Sequence, residues 1–113
     1  MLTVYGIKNC DTVKKALKWL DEEGIGYTFH DLRADGLTQA MAKRWVDALG
    51  WESALNRRST TWRALAEADK EALDAAKAVQ LLVQHPTLVK RPVFDDNGSI
   101  FNGFTDGVRA KLA

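Results

Sequence analysis

One cysteine stands in the 113 residues, inside the stretch YGIKNCDTVKKALKWL. Cys10 lies at the seam between an apolar, β-rich run and a helical pattern. At such a seam the unpaired backbone N–H groups of the first helical turn, together with the helix dipole, favour the thiolate, the nucleophilic form of the side chain. Lys8 and Lys14 add positive potential, Lys14 being four residues on and so on the same helical face, while Asp11 opposes it. The plain alternative is a small apolar residue in a turn, and position alone does not choose between the two.

Few other side chains compete for chemistry. His30 and His85 lie far from Cys10 in sequence without ligand spacing, so no metal is expected. Gly24-Ile-Gly26 precedes a strand and lacks a third glycine, which excludes a dinucleotide fingerprint. Trp19, Trp45, Trp51 and Trp62 each fall in or beside an amphipathic helix and read as packing groups. The stretch AEADKEALDAAK reads as a solvated helix face.

The elements that must carry Cys10 follow from periodicity. Leu2 to Tyr5 reads as a buried strand interrupted at Gly6. Val13, Ala16, Leu17 and Leu20 then repeat at helical spacing with lysines opposite, and Gly24 supplies a stop. Ile25 to Leu32 alternates as a second strand, which makes a right-handed βαβ unit with parallel strands. From Leu37 to Pro86 the strand signal vanishes. Met41, Trp45, Ala48 and Leu49 mark one helix face closed by Gly50; Leu65, Leu73, Ala76, Val79, Leu82 and Val83 mark further helices up to His85-Pro86. Val93-Phe94 and Ser99 to Phe101 read as a hairpin around Asp96-Asn97-Gly98, and Thr105 or Asp106 caps a closing helix.

Composition bounds the function class. Sixteen basic against fifteen acidic residues give a net charge of +1, which is no footprint for nucleic acid or an anionic membrane surface. A single cysteine forms no internal disulfide, no apolar run reaches the roughly 18 residues of a membrane span, and the start of the chain enters a strand pattern without a signal-type h-region. The expectation is one cytoplasmic domain over 1–113, with a helical insertion at about 37–86.

Three stretches, VYGIKNCDTVKKAL, ALNRRS and HPTLVKRPVF, fall in the order and spacing of the arsenate reductase-like family known as ArsC/Spx/YffB. The chain resembles that family over essentially its whole length, and most nearly its glutathione-dependent thiol reductases of the YffB type. The fold implied is α/β, a thioredoxin-like sheet with an all-helical insertion, and the element order read above agrees with it. The resemblance makes Cys10 the catalytic nucleophile and Arg57 and Arg91 arginines that hold an anion near the sulfur, with Arg58 as understudy to Arg57. Pro92 matches a proline whose preceding bond is cis. For each arginine the plain alternative is a solvated charge or a structural ion pair.

A third arginine of true arsenate reductases would fall close to Gly103. In its place IFNGFTDG is similar to the glutaredoxin element in which a glycine-aromatic turn leads into a helix that meets the γ-glutamyl end of glutathione. The plain reading is a hairpin-to-helix turn. The implied glutathione site comprises Lys8, Asn9, Lys14, Arg91, Pro92, Gly103, Phe104 and Thr105. The resemblance thus implies a monothiol oxidoreductase with glutathione as co-substrate, no tightly bound cofactor and no metal, acting on a small-molecule or protein disulfide or an oxyanion. Two alternatives stay open: an arsenate reductase, and a non-catalytic protein-binding regulator of the Spx kind. Spx proteins commonly carry C-x-x-C at the start, and Val13 stands at the partner position here.

Overall fold

The computed structural model describes residues 2–71 and 73–112. Two compact units divide the chain, one formed by Met1–Asp35 together with Arg91–Ala113, the other by Gly36–Lys90.

The first unit is a four-stranded sheet in the order β2-β1-β3-β4. β1 (Leu2–Gly6), α1 (Asp11–Glu22) and β2 (Tyr27–Asp31) form the expected βαβ unit, with β1 and β2 parallel from Leu2↔Tyr27 to Gly6↔Asp31. β3 (Val93–Asp96) pairs antiparallel with β1, and β4 (Ser99–Asn102) antiparallel with β3. Asn97 at φ 52° and Gly98 at φ 98° make the hairpin turn. Both central residues need a positive φ, as the Asn-Gly pair permits.

Register aligns one apolar row across all four strands, because Val4 pairs with both Phe29 and Phe94, and Phe94 with Phe101. α1 covers this row with Ala16 and Leu20, while Val108 and Leu112 of α7 (Asp106–Leu112) pack on the same cluster. Fully burying a side chain such as Phe94 contributes about 1.5–3 kcal/mol. The thioredoxin-like α/β fold expected from the sequence is therefore the fold of this unit.

The second unit is helical. Its elements are α2 (Gln39–Leu49), α3 (Trp51–Ala54), α4 (Thr60–Ala64), α5 (Glu67–Lys70), α6 (Ala75–Gln84) and a 3-10 turn at Pro86–Leu88. Trp45, Ala42 and Val46 of α2 and Ala78, Val79, Leu81 and Leu82 of α6 are buried in it, together with Ala54, Leu55, Leu88 and Val89. Ala48 and Ala76 are exposed instead, since the buried stripe runs one position aside of the expected one. The AEADKEALDAAK stretch is solvated but not one helix: α5 ends at Lys70, and Asp74 starts α6 by accepting from the Lys77 N–H at 2.8 Å. The unit reaches four residues beyond Pro86 because Leu55 bridges Val89, the Asn56 N–H donates to Leu88 O at 2.8 Å, and the Lys90 N–H donates to Ala54 O at 3.0 Å. Among the described residues no helix is long and apolar enough to cross a membrane.

Gly6 determines how closely α1 lies on the sheet. A Cβ there would stand 2.8 Å from Cγ2 and 3.0 Å from Cγ1 of Val13, which is fully buried. Gly6→Ala is expected to destabilise by about 1–3 kcal/mol in urea titrations. Combined with Val13→Ala, which removes the obstructing methyls, the double variant should lose less than the sum of the singles.

Candidate active site

Strand direction collects the site at one edge of the sheet. β1 and β2 are parallel and end there, β3 begins there, and β4 ends there. Four segments therefore arrive together: the Ile7–Cys10 turn after β1, Asp31 closing β2, Arg91-Pro92 before β3, and Gly103 after β4.

The turn is anchored by Ile7, which is buried, while Lys8 and Asn9 at its middle are exposed. The Cys10 N–H donates to Ile7 O at 3.0 Å, and Cys10 O accepts from the Lys14 N–H at 3.0 Å. Cys10 is thus the N-cap of α1, in extended backbone at φ −86° and ψ 121°, yet its side chain makes no capping bond. Serine, threonine or aspartate there would accept from the first-turn N–H groups. The half-buried thiol leaves those donors uncommitted. Lys14 is exposed on the first turn of the same helix.

Across the edge, the ladder between β1 and β3 ends at Tyr5↔Val93, and Pro92 and the half-buried Arg91 precede Val93. The Arg91–Pro92 bond is cis, as the family resemblance implies. Pro92 is buried and its carbonyl accepts from the Gly103 N–H at 2.9 Å, which joins the start of β3 to the turn after β4. Among the described residues no hydrogen bond or ion pair engages the Arg91 guanidinium.

Gly103 has φ 78°, and a Cβ there would meet nothing within 4 Å. The backbone conformation by itself calls for glycine, and the space beside it is open. Phe104 and Thr105, both expected to meet glutathione, have structural work for their side chains. The Phe104 ring packs edge-on against Trp19 at 5.8 Å between centroids and lies 4.2 Å beneath the Arg109 guanidinium. The Thr105 hydroxyl accepts from the Val108 N–H at 3.3 Å, so Thr105, not Asp106, caps α7.

Arg57 belongs to the helical unit, where it is half exposed, 3.9 Å from Glu52 Oε2 and 5.9 Å above the Trp51 ring. The exposed Arg58 follows it, its N–H donating to Asn56 Oδ1 at 3.1 Å. The His30 ring packs at a tilt against Tyr5, 5.0 Å between centroids, across the β1–β2 pair, and His85 ends α6.

One residue at the edge has no counterpart in the sequence reading. Asp31 is 7% exposed, and its Oδ1 accepts from the Arg33 N–H at 2.8 Å and the Ala34 N–H at 3.1 Å. The carboxylate also accepts from the backbone N–H of Lys8. The Ala34 N–H, with those of Arg33 and Lys8 and the Lys8 charge, holds this carboxyl below the usual aspartate range against the opposing effect of burial. The available signal was an Asp two residues from a polar turn ending in Gly36, the pattern of an Asx-turn.

A βαβ unit continued by an antiparallel hairpin and a helix, with a cis-proline opening β3 at the edge where a cysteine heads α1, defines a thioredoxin-like protein. The chain belongs to the ArsC family, whose model matches residues 5–111. An uncharacterized protein of Haemophilus influenzae is 48% identical over 106 residues, covering 94% of this chain and 93% of that one. The solved structure of the YffB (PA3664) protein superposes with a TM-score of 0.95 at 46% identity, covering 100% of both chains. The global transcriptional regulator Spx of Streptococcus pneumoniae is 25% identical over 115 residues, covering 99% of this chain and 86% of that one.

This geometry has two measurable consequences. Gly103→Ala is expected to destabilise by about 1–2 kcal/mol, the cost of a left-handed backbone for a residue with Cβ, and Gly103→Asn by less; urea midpoints measure both. Because the folded Asp31 carboxyl titrates below its unfolded value of about 3.9, its contribution to stability is fully present above that pH. It is lost as pH falls through the folded value. Asp31→Asn should flatten this part of the acid limb in unfolding titrations between about pH 5 and pH 2.

Proposed function

We propose that this protein is a glutathione-dependent thiol oxidoreductase in which Cys10 is the nucleophile. The observation that carries the reading is the uncapped Cys10 side chain at the head of α1, on the same sheet edge as an Arg91 guanidinium that no hydrogen bond or ion pair engages among the described residues. First-turn N–H groups stabilise negative charge on sulfur. Glutathione brings two carboxylates, and arginine meets carboxylates with two parallel hydrogen bonds. Arg91 suits one of them. The open space and exposed backbone at Gly103 suit a peptide ligand, whereas arsenate, a compact oxyanion, would lack the arginine expected there.

In the proposed reaction the Cys10 thiolate attacks the glutathione sulfur of a glutathionylated thiol. A Cys10–glutathione bond forms, the original S–S bond breaks, and the released thiolate takes a proton from water. A second glutathione, as thiolate, attacks the glutathione sulfur of that adduct. Cys10 thiolate is regenerated and glutathione disulfide leaves with the two electrons balanced. Val13, at the place of a second cysteine, is fully buried, and resolution falls to the external thiol. Such chemistry suits the reducing cytoplasm.

The relation to Spx supplies a second reading, a regulator that binds protein without turnover. Deglutathionylation assays separate the two. Cys10→Ser should abolish turnover with the fold intact, and Arg91→Ala and Arg57→Ala should each weaken glutathione binding by about 1.5–3 kcal/mol, as for hydrogen bonds to charged groups. No turnover by a folded wild type would favour the regulator.

A further inference from the structure

Thiol exchange at Cys10 leaves Asp31 unused, although burying a carboxylate is costly unless its oxygens are fully engaged. Its own turn asks little of it. That turn is closed by the Asp35 N–H donating to Asp31 O at 2.8 Å and by the Asp31 N–H donating to Asp35 Oδ2 at 3.0 Å, and Oδ1 alone serves both Arg33 and Ala34. Asparagine or serine would meet that local need. An ionised carboxylate is acceptor-only, with about four lone-pair directions, and here it takes a third amide from a different segment, the Lys8 N–H. Lys8 is the second residue of the turn that closes with the Cys10 N–H on Ile7 O. The strand pairing brings the two segments into reach, since Gly6 lies opposite Asp31 and the Leu32 N–H donates to Gly6 O at 2.8 Å.

We infer that Asp31 is a positioning residue for Cys10: its buried carboxylate, gripping the Lys8 amide, fixes the Ile7–Cys10 turn and thereby the direction in which the sulfur leaves the head of α1. Ile7 anchors one end of the turn and α1 the other, while Lys8 and Asn9 between them are exposed. With the Lys8 amide released, the middle of the turn is held only by its ends, and the Cys10 sulfur samples directions away from the sheet edge that carries Arg91 and Pro92. Disulfide exchange needs the attacking sulfur in line with the bond it breaks, so such spread costs rate even when the thiolate is fully formed. The charged groups around the carboxylate are the Lys8 ammonium and Asp35, with the exposed Arg33 on the turn itself.

The inference rests on Cys10 being the nucleophile, and its test has two arms. In the first, Cys10 is reacted with glutathione disulfide and with iodoacetamide, both on the high-pH plateau where the thiol is fully ionised. The ratio of the two rates reads orientation, not acidity. Asp31→Asn should lower that ratio by about tenfold or more, with Asp35→Ala, which removes only the local bond to the Asp31 N–H, leaving it unchanged. In the second arm the backbone amides are followed by NMR from pH 7 downward. The Lys8 amide of the wild type should shift with an inflection below the usual aspartate range, and that inflection should vanish in Asp31→Asn. An unchanged rate ratio in Asp31→Asn, or a Lys8 amide of the wild type with no such inflection, would overturn the inference. The wild-type titration stands even if the variant fails to fold. A wild type with no preference for glutathione disulfide over a free cysteine's ratio would count against the glutathione reading, and the Lys8 amide would then decide the place of Asp31 alone.

Discussion

The register of β1 is the constraint on which the rest of the site depends. Val4 must face the apolar row of Phe29, Phe94 and Phe101, and side chains alternate along a strand, so a slip of one residue would turn the buried set outward. With the register fixed, Gly6 falls opposite Asp31, Tyr5 opposite Val93, and Val93 opposite Asn102. The chain has no further choice about where Ile7, Pro92 and Gly103 go. Core packing thus decides the placement of residues that contribute little to the core themselves.

Two backbone contacts translate that register into a site. The Gly103 N–H on Pro92 O joins the segments on one side of the Cys10 turn, and the Lys8 N–H on the Asp31 carboxylate ties down the turn on the other. Gly6 completes the frame by letting Val13, three residues beyond Cys10, approach β1 closely. The same close approach fills the position where a second cysteine would stand with a fully buried valine.

What could be read from the sequence is what local chemistry specifies. The βαβ unit was legible because the apolar periods of Leu2–Val4 and of Val13–Ala16–Leu20 coincide with buried faces, and the hairpin because Asn97-Gly98 is adapted to two positive φ values. The helical unit was legible only in outline. Alanine carries little hydropathic signal, so Ala42 and Ala78 inside could not be told from Ala48 and Ala76 outside, and the breaks at Leu65 and Glu71 fall on extended residues that are neither glycine nor proline. Cys10, Pro92 and Gly103 were singled out through motif and resemblance, and they do share one edge. Phe104 and Thr105 were assigned to a ligand from the same motif, although their side chains serve the α1–α7 packing and the α7 cap. Asp31 escaped notice because its partners are backbone amides, which leave no residue-type pattern.

The central claim is that the native fold presents Cys10 as a thiol that exchanges with glutathione. The most direct measurement is mass analysis of the folded protein after brief exposure to glutathione disulfide, with peptide mapping and a denatured sample as control. The expected result is one glutathione per chain, located on Cys10, formed faster in the folded protein than in the denatured one and removed by added glutathione. A folded protein that stays unmodified while the denatured chain is glutathionylated at Cys10 would contradict it.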